Sequence, residues 1–185
     1  MAAAIQQMMG GGAPTPAAQQ PPPSAEPQDL SNVIDKNQSF CLNEDAAHKM
    51  ANLFMGDETL FLQSDADEQL LLTIAFKDTV NLTGVSFVAP LDDSAPRTVK
   101  LFANGLNLSF DNCEDMTPTQ EFELTPADLA ADTQTKLYAV KFQRVNTLTV
   151  FVEDSNGADQ TILSGLKFFG TTVIGTNMAE FKKAG

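Results

Sequence analysis

The fold is decided by the stretch Leu62-Gln63-Ser64-Asp65-Ala66-Asp67-Glu68-Gln69-Leu70-Leu71-Leu72-Thr73-Ile74-Ala75-Phe76. Its first part packs polar and acidic side chains into the pattern Ser64-Asp65-x-Asp67-Glu68, and its second part is an apolar run that begins at Leu70. Apolar residues on both faces of a strand are typical of a strand that is buried on both sides. The stretch therefore predicts an acidic turn that leads directly into a buried strand.

The length and composition indicate how many domains the chain can form and which charge its partners carry. The chain has 185 residues, of which 43% are hydrophobic, and this is enough for one domain with a real core. It carries 24 acidic and 11 basic residues, and its formal net charge is -13. Because this charge repels phosphate backbones and anionic lipid headgroups, we expect no nucleic-acid partner and no membrane partner. A partner with a basic surface is favoured instead.

The cysteines and the N-terminus indicate the compartment. The two cysteines, Cys41 and Cys113, are too few for a disulfide framework in a domain of this size, so we expect reduced and partly buried thiols. No Cys-x-x-Cys redox motif is present in the sequence. The first residues carry no basic group and lack the pattern of a secretory signal. We therefore expect a cytoplasmic protein, with the nucleus as a second compartment.

The composition changes near residue 29. Residues 1–28 are rich in Ala, Gln, Pro and Gly and contain one charged residue, Glu26. Such a segment cannot bury enough apolar surface to offset the entropy of ordering, so it is expected to be a disordered tail or an interdomain linker. Residues 29–185 are expected to form one folded domain.

Most of the folded part has the pattern of short strands. Several segments alternate, as Leu148, Val150 and Val152 do on one side of a strand with Thr147, Thr149 and Phe151 on the other. Many short strands without intervening helices predict an all-β fold, an antiparallel β-sandwich with short peripheral helices. The predicted strands are 59–63, 69–77, 80–88, 97–103, 106–110, 120–124, 136–143, 147–153 and 161–169.

Three short helical segments are predicted around this sandwich. The first spans 43–54, with Asn43 as N-cap, an apolar face formed by Ala47, Met50, Ala51 and Phe54, and an end near Gly56. The second begins at Thr125-Pro126-Ala127-Asp128, where Thr125 caps and Asp128 stands at the capping-box position. A last turn is predicted after Asn177, with Met178 and Phe181 docking back.

No set of residues has the pattern of a catalytic or metal site. His48 is the only histidine and is expected to be a solvent-facing residue of the first helix. A nucleophile and base pair of Cys41 and His48 lacks an orienting third group, and no phosphate-binding glycine motif is present in the sequence. Asp65, Asp67 and Glu68 offer the oxygen ligands that Ca²⁺ prefers, but their spacing departs from the EF-hand loop. We expect no enzyme activity, no cofactor and no bound metal.

Several runs, in order, give the chain a family resemblance. They are Cys41-Leu42-Asn43-Glu44, the run from Leu62 to Leu71, Pro118-Thr119-Gln120 with Glu123-Leu124, Val140-Lys141-Phe142-Gln143-x-Val145-Asn146, Thr149-Val150-Phe151-Val152, Phe169-Gly170-Thr171 and Thr176-Asn177-Met178. Together they span about residues 41–181, and by them the chain resembles the PITH domain, found at the C-terminus of a proteasome-associated thioredoxin-like protein.

The resemblance implies a fold and a function. The fold is a jelly-roll β-sandwich similar to galactose-binding-like domains, which agrees with the strand pattern. Family members bind the regulatory particle of the proteasome through this domain, and the domain is not known as an enzyme. In the best-known architecture a thioredoxin domain precedes it. This chain departs from that pattern because it has no Cys-x-x-Cys pair, and residues 1–28 have the composition of a linker.

The sequence thus favours a non-catalytic, monomeric interaction module that docks on proteasome regulatory particle subunits. The candidate partner-binding residues are acidic, and the choice of these residues is an inference from charge: Asp57, Glu58, Asp65, Asp67 and Glu68. The same residues have a structural alternative, a turn in which Ser64 or Asp65 binds backbone amides. Two alternative functions stay open: a small-ligand or carbohydrate-binding sandwich, and a redox role of Cys41 or Cys113. Against sugar binding, the chain has no Trp and one Tyr, Tyr138, in a predicted strand.

Overall fold

The computed structural model describes residues 26–57 and 59–173, and these form an antiparallel sandwich of short strands. The prediction of an all-β, jelly-roll sandwich with few helices is confirmed. The strands are β1 (Gln28–Asp29), β2 (Ile34–Leu42), β3 (Leu62–Gln63), β4 (Leu70–Val88), β5 (Thr98–Ala103), β6 (Gln120–Glu123), β7 (Thr135–Lys136), β8 (Val145–Val152), β9 (Ile162–Leu163) and β10 (Gly165–Thr172). One α-helix, α1 (Phe110–Asp115), and four 3-10 helices are also described. The 3-10 helices are Ser31–Val33, Met50–Phe54, Pro126–Leu129 and Ala139–Lys141.

Strand β4 belongs to both layers of the sandwich. Its first part, Leu70–Phe76, pairs with β2 on one side and with β8 on the other. Its second part, Val80–Val88, pairs with β10, and near Gly84 with β7. The prediction of two strands separated at Lys77-Asp78 is therefore wrong, because the backbone stays extended there, and these two exposed residues lie where the pairing passes from the first set of partners to the second. The apolar side chains of both parts meet in one core.

A bulge in β4 changes which residues face that core. Pairing with β10 runs from Phe169 opposite Gly84 to Gly170 opposite Leu82, so Thr83 is the extra residue. Because side chains alternate along a strand, one extra residue moves the inward positions from even to odd numbers. Leu82 is buried before the bulge, and Val85 and Phe87 are buried after it.

The first layer is buried on its outer face as well. Leu71, Phe102 and Phe151 point away from the main core and form a second cluster with Cys113 of α1. Helix α1 begins at Ser109, whose hydroxyl accepts a hydrogen bond from the Asn112 amide in a capping box. This second cluster explains why β4 and β8 are apolar on both faces.

The other predicted strands are partly confirmed. Strands near 97–103, 120–124, 147–153 and 161–169 are present, the last as β9 and β10. The strand predicted at 59–63 is only two residues long, and 106–110 is a loop that leads into α1. The predicted strand 136–143 is a loop with a 3-10 turn. Leu137 and Phe142 are both buried, and the irregular backbone between them does not place side chains alternately on two faces as a strand does. Strand β2 was not predicted, because its sequence is mostly polar. It pairs with β4 along one edge only.

The predicted helices have different outcomes. The capped turn at Thr125 is confirmed as the 3-10 helix Pro126–Leu129, with both hydrogen bonds of its capping box. The helix predicted over 43–54 is wrong: only Met50–Phe54 is helical, and Asn43 has a φ of 67°, in the left-handed region. The predicted turn after Asn177 and residues 1–25 of the tail predicted over 1–28 lie outside the described residues, and Gln28, at the end of that tail, is in β1. Within the described part of the chain, no helix has the length and apolar character to span a membrane.

Gly170 gives a test of the bulge. A Cβ at this position would lie 1.9 Å from the Asn81 carbonyl oxygen, which belongs to the backbone of β4 and cannot move aside. We expect Gly170→Ala to lower the free energy of unfolding by about 2 kcal/mol or more, as overpacking does. Urea denaturation followed by circular dichroism measures it. Thr172→Ala, at an exposed position of the same strand, serves as the control with a change within about 0.5 kcal/mol. Equal stability of the two variants would contradict the close approach.

Candidate functional site

The acidic turn lies where the chain enters β4, and Ser64 anchors it to a distant segment. Ser64 is fully buried. Its amide donates to the Thr161 carbonyl oxygen at 3.0 Å, and its hydroxyl accepts from the Thr161 amide at 2.8 Å. The Thr161 hydroxyl then donates to the Glu68 carbonyl oxygen at 2.6 Å. Both ends of the turn are therefore tied to one residue that is 97 positions away from Ser64.

Asn43 holds the turn from the other side. Its carbonyl oxygen accepts from the Asp65 amide at 2.9 Å, and its side-chain oxygen accepts from the Ala66 amide at 3.0 Å. Its side-chain NH₂ donates to Asp67 Oδ1 at 2.8 Å and to the Gln69 carbonyl oxygen at 2.7 Å. The left-handed φ of Asn43 is one that asparagine tolerates better than most residues. One side chain thus satisfies backbone groups along most of the turn.

These contacts divide the acidic residues into two kinds. The Asp67 carboxylate accepts from Asn43 and, at 3.0 Å, from the Gln69 amide, so it is part of the turn. The carboxylates of Asp65 and Glu68 have no hydrogen-bond partner among residues 26–57 and 59–173; Asp65 is exposed and Glu68 is half-buried. The turn therefore fixes its backbone through Asp67 and presents Asp65 and Glu68 outward.

The other two candidate residues belong to a different turn. Asp57 is exposed, and its carboxylate accepts from the Thr59 amide at 2.9 Å and from the Thr59 hydroxyl at 2.6 Å. These hydrogen bonds from Thr59 lower the pKa of Asp57 below its usual value. Asp57 also lines an open groove of about 380 Å³ together with Lys167. Glu58 lies outside the described residues.

Asn43 and Thr161 are the residues that the sequence analysis missed. Asn43 stands in one of the runs that carry the family resemblance, but its type and position also suit a helix N-cap. Thr161 has no motif around it. No local signal in the sequence links the runs 41–44 and 62–71, which the structure brings together at Asn43.

The described residues contain no group of three His, Cys, Asp or Glu side chains arranged to hold a metal ion. In the acidic turn, Asp67 Oδ1 already accepts two hydrogen bonds. The geometry thus gives no support to the calcium alternative.

His48 is held more firmly than predicted. It lies in a turn rather than on a helix, with its ring stacked on Phe61 at a centroid distance of 4.3 Å. Its Nδ1 lies 2.7 Å from Asp45 Oδ2. This hydrogen bond from His48 is the main cause of a lowered pKa of Asp45. The prediction of a helical histidine is therefore wrong, although the His48 side chain is 37% exposed. The packing gives His48 a structural role in the segment before the acidic turn.

The two thiols are poorly suited to redox chemistry. Both cysteines are free; Cys113 is buried and Cys41 is half-buried. Desolvation by burial raises the pKa of Cys113 to about 11 and raises the pKa of Cys41 further, with Glu44 adding to the effect at Cys41. Because the thiolate is the reactive form, both residues are held in the unreactive state near neutral pH.

The sequence pattern predicts Tyr138 in a strand, and this prediction is wrong. It precedes the 3-10 helix Ala139–Lys141 and is 60% exposed. The Lys141 ammonium lies 5.5 Å from the centroid of its ring. A lysine over the ring competes with a sugar for the same stacking surface.

The fold defines the class of protein as a galactose-binding-like β-sandwich. It is similar to the solved CBM32-1 and CBM32-2 domains from Clostridium perfringens ZmpB in complex with GalNAc, with a TM-score of 0.59 over 76% of this chain and 35% of that chain. The sequences are 9% identical, so this likeness shows the fold alone.

The sequence comparisons define the family. The model of the PITH domain matches residues 20–185, and the chain belongs to this family. It is 35% identical over 160 residues to Thioredoxin-like protein 1 of Schizosaccharomyces pombe, a match over 83% of this chain and 55% of that protein. It is 33% identical over 133 residues to human PITH domain-containing protein 1, over 69% of this chain and 62% of that protein. The matched part thus covers 55% and 62% of these two relatives.

The division of the acidic turn can be tested with one pair of variants. Asn43→Ala removes four side-chain hydrogen bonds and places alanine at a positive φ, so we expect a loss of about 2–3 kcal/mol in the free energy of unfolding. Asp65→Ala removes an exposed carboxylate and should change stability by less than about 0.5 kcal/mol. Urea denaturation measures both. A loss at Asp65→Ala as large as that at Asn43→Ala would show that Asp65, too, holds the turn.

The cysteines make a second prediction. Because the raised pKa values keep both thiols protonated, labelling with a thiol reagent at neutral pH should be slow and should become fast only after unfolding in urea. Cys113→Ala and Cys41→Ala separate the two sites. Rapid labelling of either cysteine in the folded protein would reopen the redox alternative.

Proposed function

We propose that this chain is a non-catalytic interaction module that docks on the regulatory particle of the proteasome. The observation that carries the proposal is that the chain belongs to the PITH domain family. Resemblance to this family implies docking on the proteasome. The proposal implies a monomeric protein of the cytoplasm and nucleus. It also implies that any enzymatic activity of an assembly would come from the partner.

The state of the reactive side chains supports a non-catalytic role. Nucleophilic catalysis needs a thiolate or an activated hydroxyl beside a base that is free to accept a proton. In the described part of the chain, the thiols have raised pKa values, and His48 is held by Asp45 and Phe61.

The acidic turn supports docking on a basic surface. Asp65 and Glu68 project from a backbone that Asn43 and Thr161 fix, so little loop entropy remains to be lost on binding. Charges at the edge of an interface act mainly on the association rate and on orientation. We therefore assign steering to Asp65 and Glu68, and the support of the turn to Asp67.

A charge reversal at the turn tests this assignment. We expect Asp65→Lys with Glu68→Lys to slow association of the full chain with purified proteasome regulatory particle about fivefold at low ionic strength, and less at high ionic strength. Surface-based binding kinetics give the rate constants, and thermal denaturation checks that the double variant folds.

Glu121→Lys with Asp132→Lys is the matched control. Both residues are exposed, and both double variants change the net charge from -13 to -9, since each reversal adds two charges. Equal slowing in the two variants would show that net charge, and not the turn, steers association. Absence of binding by the unmodified chain would overturn the docking proposal itself.

A further inference from the structure

A second charged surface has the opposite sign. The loop 136–144, here called the basic loop, contains Lys136, Lys141 and Arg144 and no acidic residue, in a chain with 24 acidic and 11 basic residues. All three basic residues are exposed, and none forms a salt bridge with another described residue. The basic loop is thus a local reversal of the charge of the protein.

The same loop exposes apolar side chains. Val140 is 80% exposed and Tyr138 is 60% exposed, which are among the highest exposures of large apolar residues in the described chain. Lys141 lies over the Tyr138 ring, so the cation and the aromatic surface are adjacent. The loop also contains Arg144, and Tyr and Arg are over-represented in interface hot spots.

The basic loop is rigid because its ends are anchored in the core. Leu137 and Phe142 are buried, at 2% and 0% exposure. The Leu137 amide donates to the Thr83 carbonyl oxygen at 3.0 Å, and the Phe142 carbonyl oxygen accepts from the Leu82 amide at 2.9 Å. Both contacts are made to the bulged part of β4.

Side chains from neighbouring strands complete the anchoring. Gln120 accepts from the Tyr138 amide at 2.9 Å and donates to the Lys136 carbonyl oxygen at 3.2 Å. Asn81 accepts from the Arg144 amide at 2.9 Å, and Asn104 donates to the Arg144 carbonyl oxygen at 3.1 Å. The interior therefore binds the backbone of the loop, and the cationic side chains, Tyr138 and Val140 are left exposed to solvent.

We propose that the basic loop is a docking surface for an acidic segment of a partner protein, in which carboxylates meet Lys141 and Arg144 and an apolar side chain packs on Val140 and Tyr138. Charge complementarity selects this occupant: three unpaired cations stand beside apolar surface. This docking surface rests on the proposed function in one respect, because the proteasome regulatory particle is taken as the source of the acidic segment.

Nucleic acid is a less suitable occupant. Its affinity comes from releasing many counterions, and three cations release few. The net charge of -13 also repels a long polyanion along its whole length, whereas a short acidic segment needs to contact only the basic loop. Exposed Val140 has no role in contact with a phosphate backbone.

Two probes test the surface with the full chain. The first is a fluorescein-labelled synthetic peptide in which Glu and Asp alternate with Leu, with a twin that has Gln and Asn in place of the acids. The second is purified proteasome regulatory particle. We expect Lys141→Glu with Arg144→Glu to weaken binding of the acidic peptide and of the particle by about tenfold or more, and the twin peptide to bind neither protein measurably.

Each variant has a matched control. Lys77→Glu with Lys167→Glu makes the same change in net charge at exposed positions outside the basic loop. Val140→Ser removes the apolar contact without a change in charge, and Leu91→Ser, at a residue that is 70% exposed, does the same elsewhere. Thermal denaturation of all four variants checks the fold. We expect both control variants to bind like the unmodified chain, and Val140→Ser to lose about threefold to tenfold.

The outcomes separate the two proposals. If the unmodified chain binds the peptide and not the particle, the proteasome proposal fails and the docking surface stands. If it binds the particle and neither probe distinguishes the basic-loop variants from their controls, the docking surface is overturned and the proteasome proposal stands. If neither probe binds the unmodified chain, both are overturned. A single-stranded oligonucleotide is a third probe: if the basic-loop variants lose binding to it alone, with peptide and particle binding unchanged, the assignment to an acidic protein segment is overturned.

Discussion

The sharing of β4 between both layers is the constraint on which the rest of the structure depends. A strand that pairs with β2 and β8 in its first part and with β10 in its second part must be buried along most of its length, and it must pass from one set of partners to the other. The exposed residues Lys77 and Asp78 lie between the two sets of partners, and the bulge at Thr83 shifts the inward positions of the second part. The close approach of Gly170 to β4 follows from the bulge.

Both charged surfaces are placed by this strand. The acidic turn leads into Leu70, which is fully buried. The backbone N–H and C=O groups of the turn therefore need hydrogen-bond partners before the chain enters the core. Asn43 and Thr161 do this, and Asp65 and Glu68 remain outside. The basic loop is attached to Leu82 and Thr83, in the other part of β4. A rigid module with two fixed patches of opposite sign is well suited to binding a partner in one orientation.

Much of the fold was predictable from local pattern, and the misses have physical causes. Segments such as Leu148–Val152 alternate or are apolar on both faces, and the pattern identifies them as strands. The pattern failed where tertiary contacts replace local preference. Segment 136–143 has the composition of a strand, but Gln120, Thr83 and Leu82 hold it as a loop. Polar strand β2 is extended because it pairs with β4, and its own sequence does not require it.

The candidate site shows the same division. By itself the sequence determined the acidic turn, the buried strand after it, the excess of negative charge and the family. Only the tertiary structure decided which carboxylates are free, because Asn43 and Thr161 reach Asp67 and Ser64 from 24 and 97 residues away. It also decided that Tyr138 and Val140 face solvent. Hydrogen bonds and packing between residues distant in sequence leave no periodic signal, so they are settled only when the chain has folded.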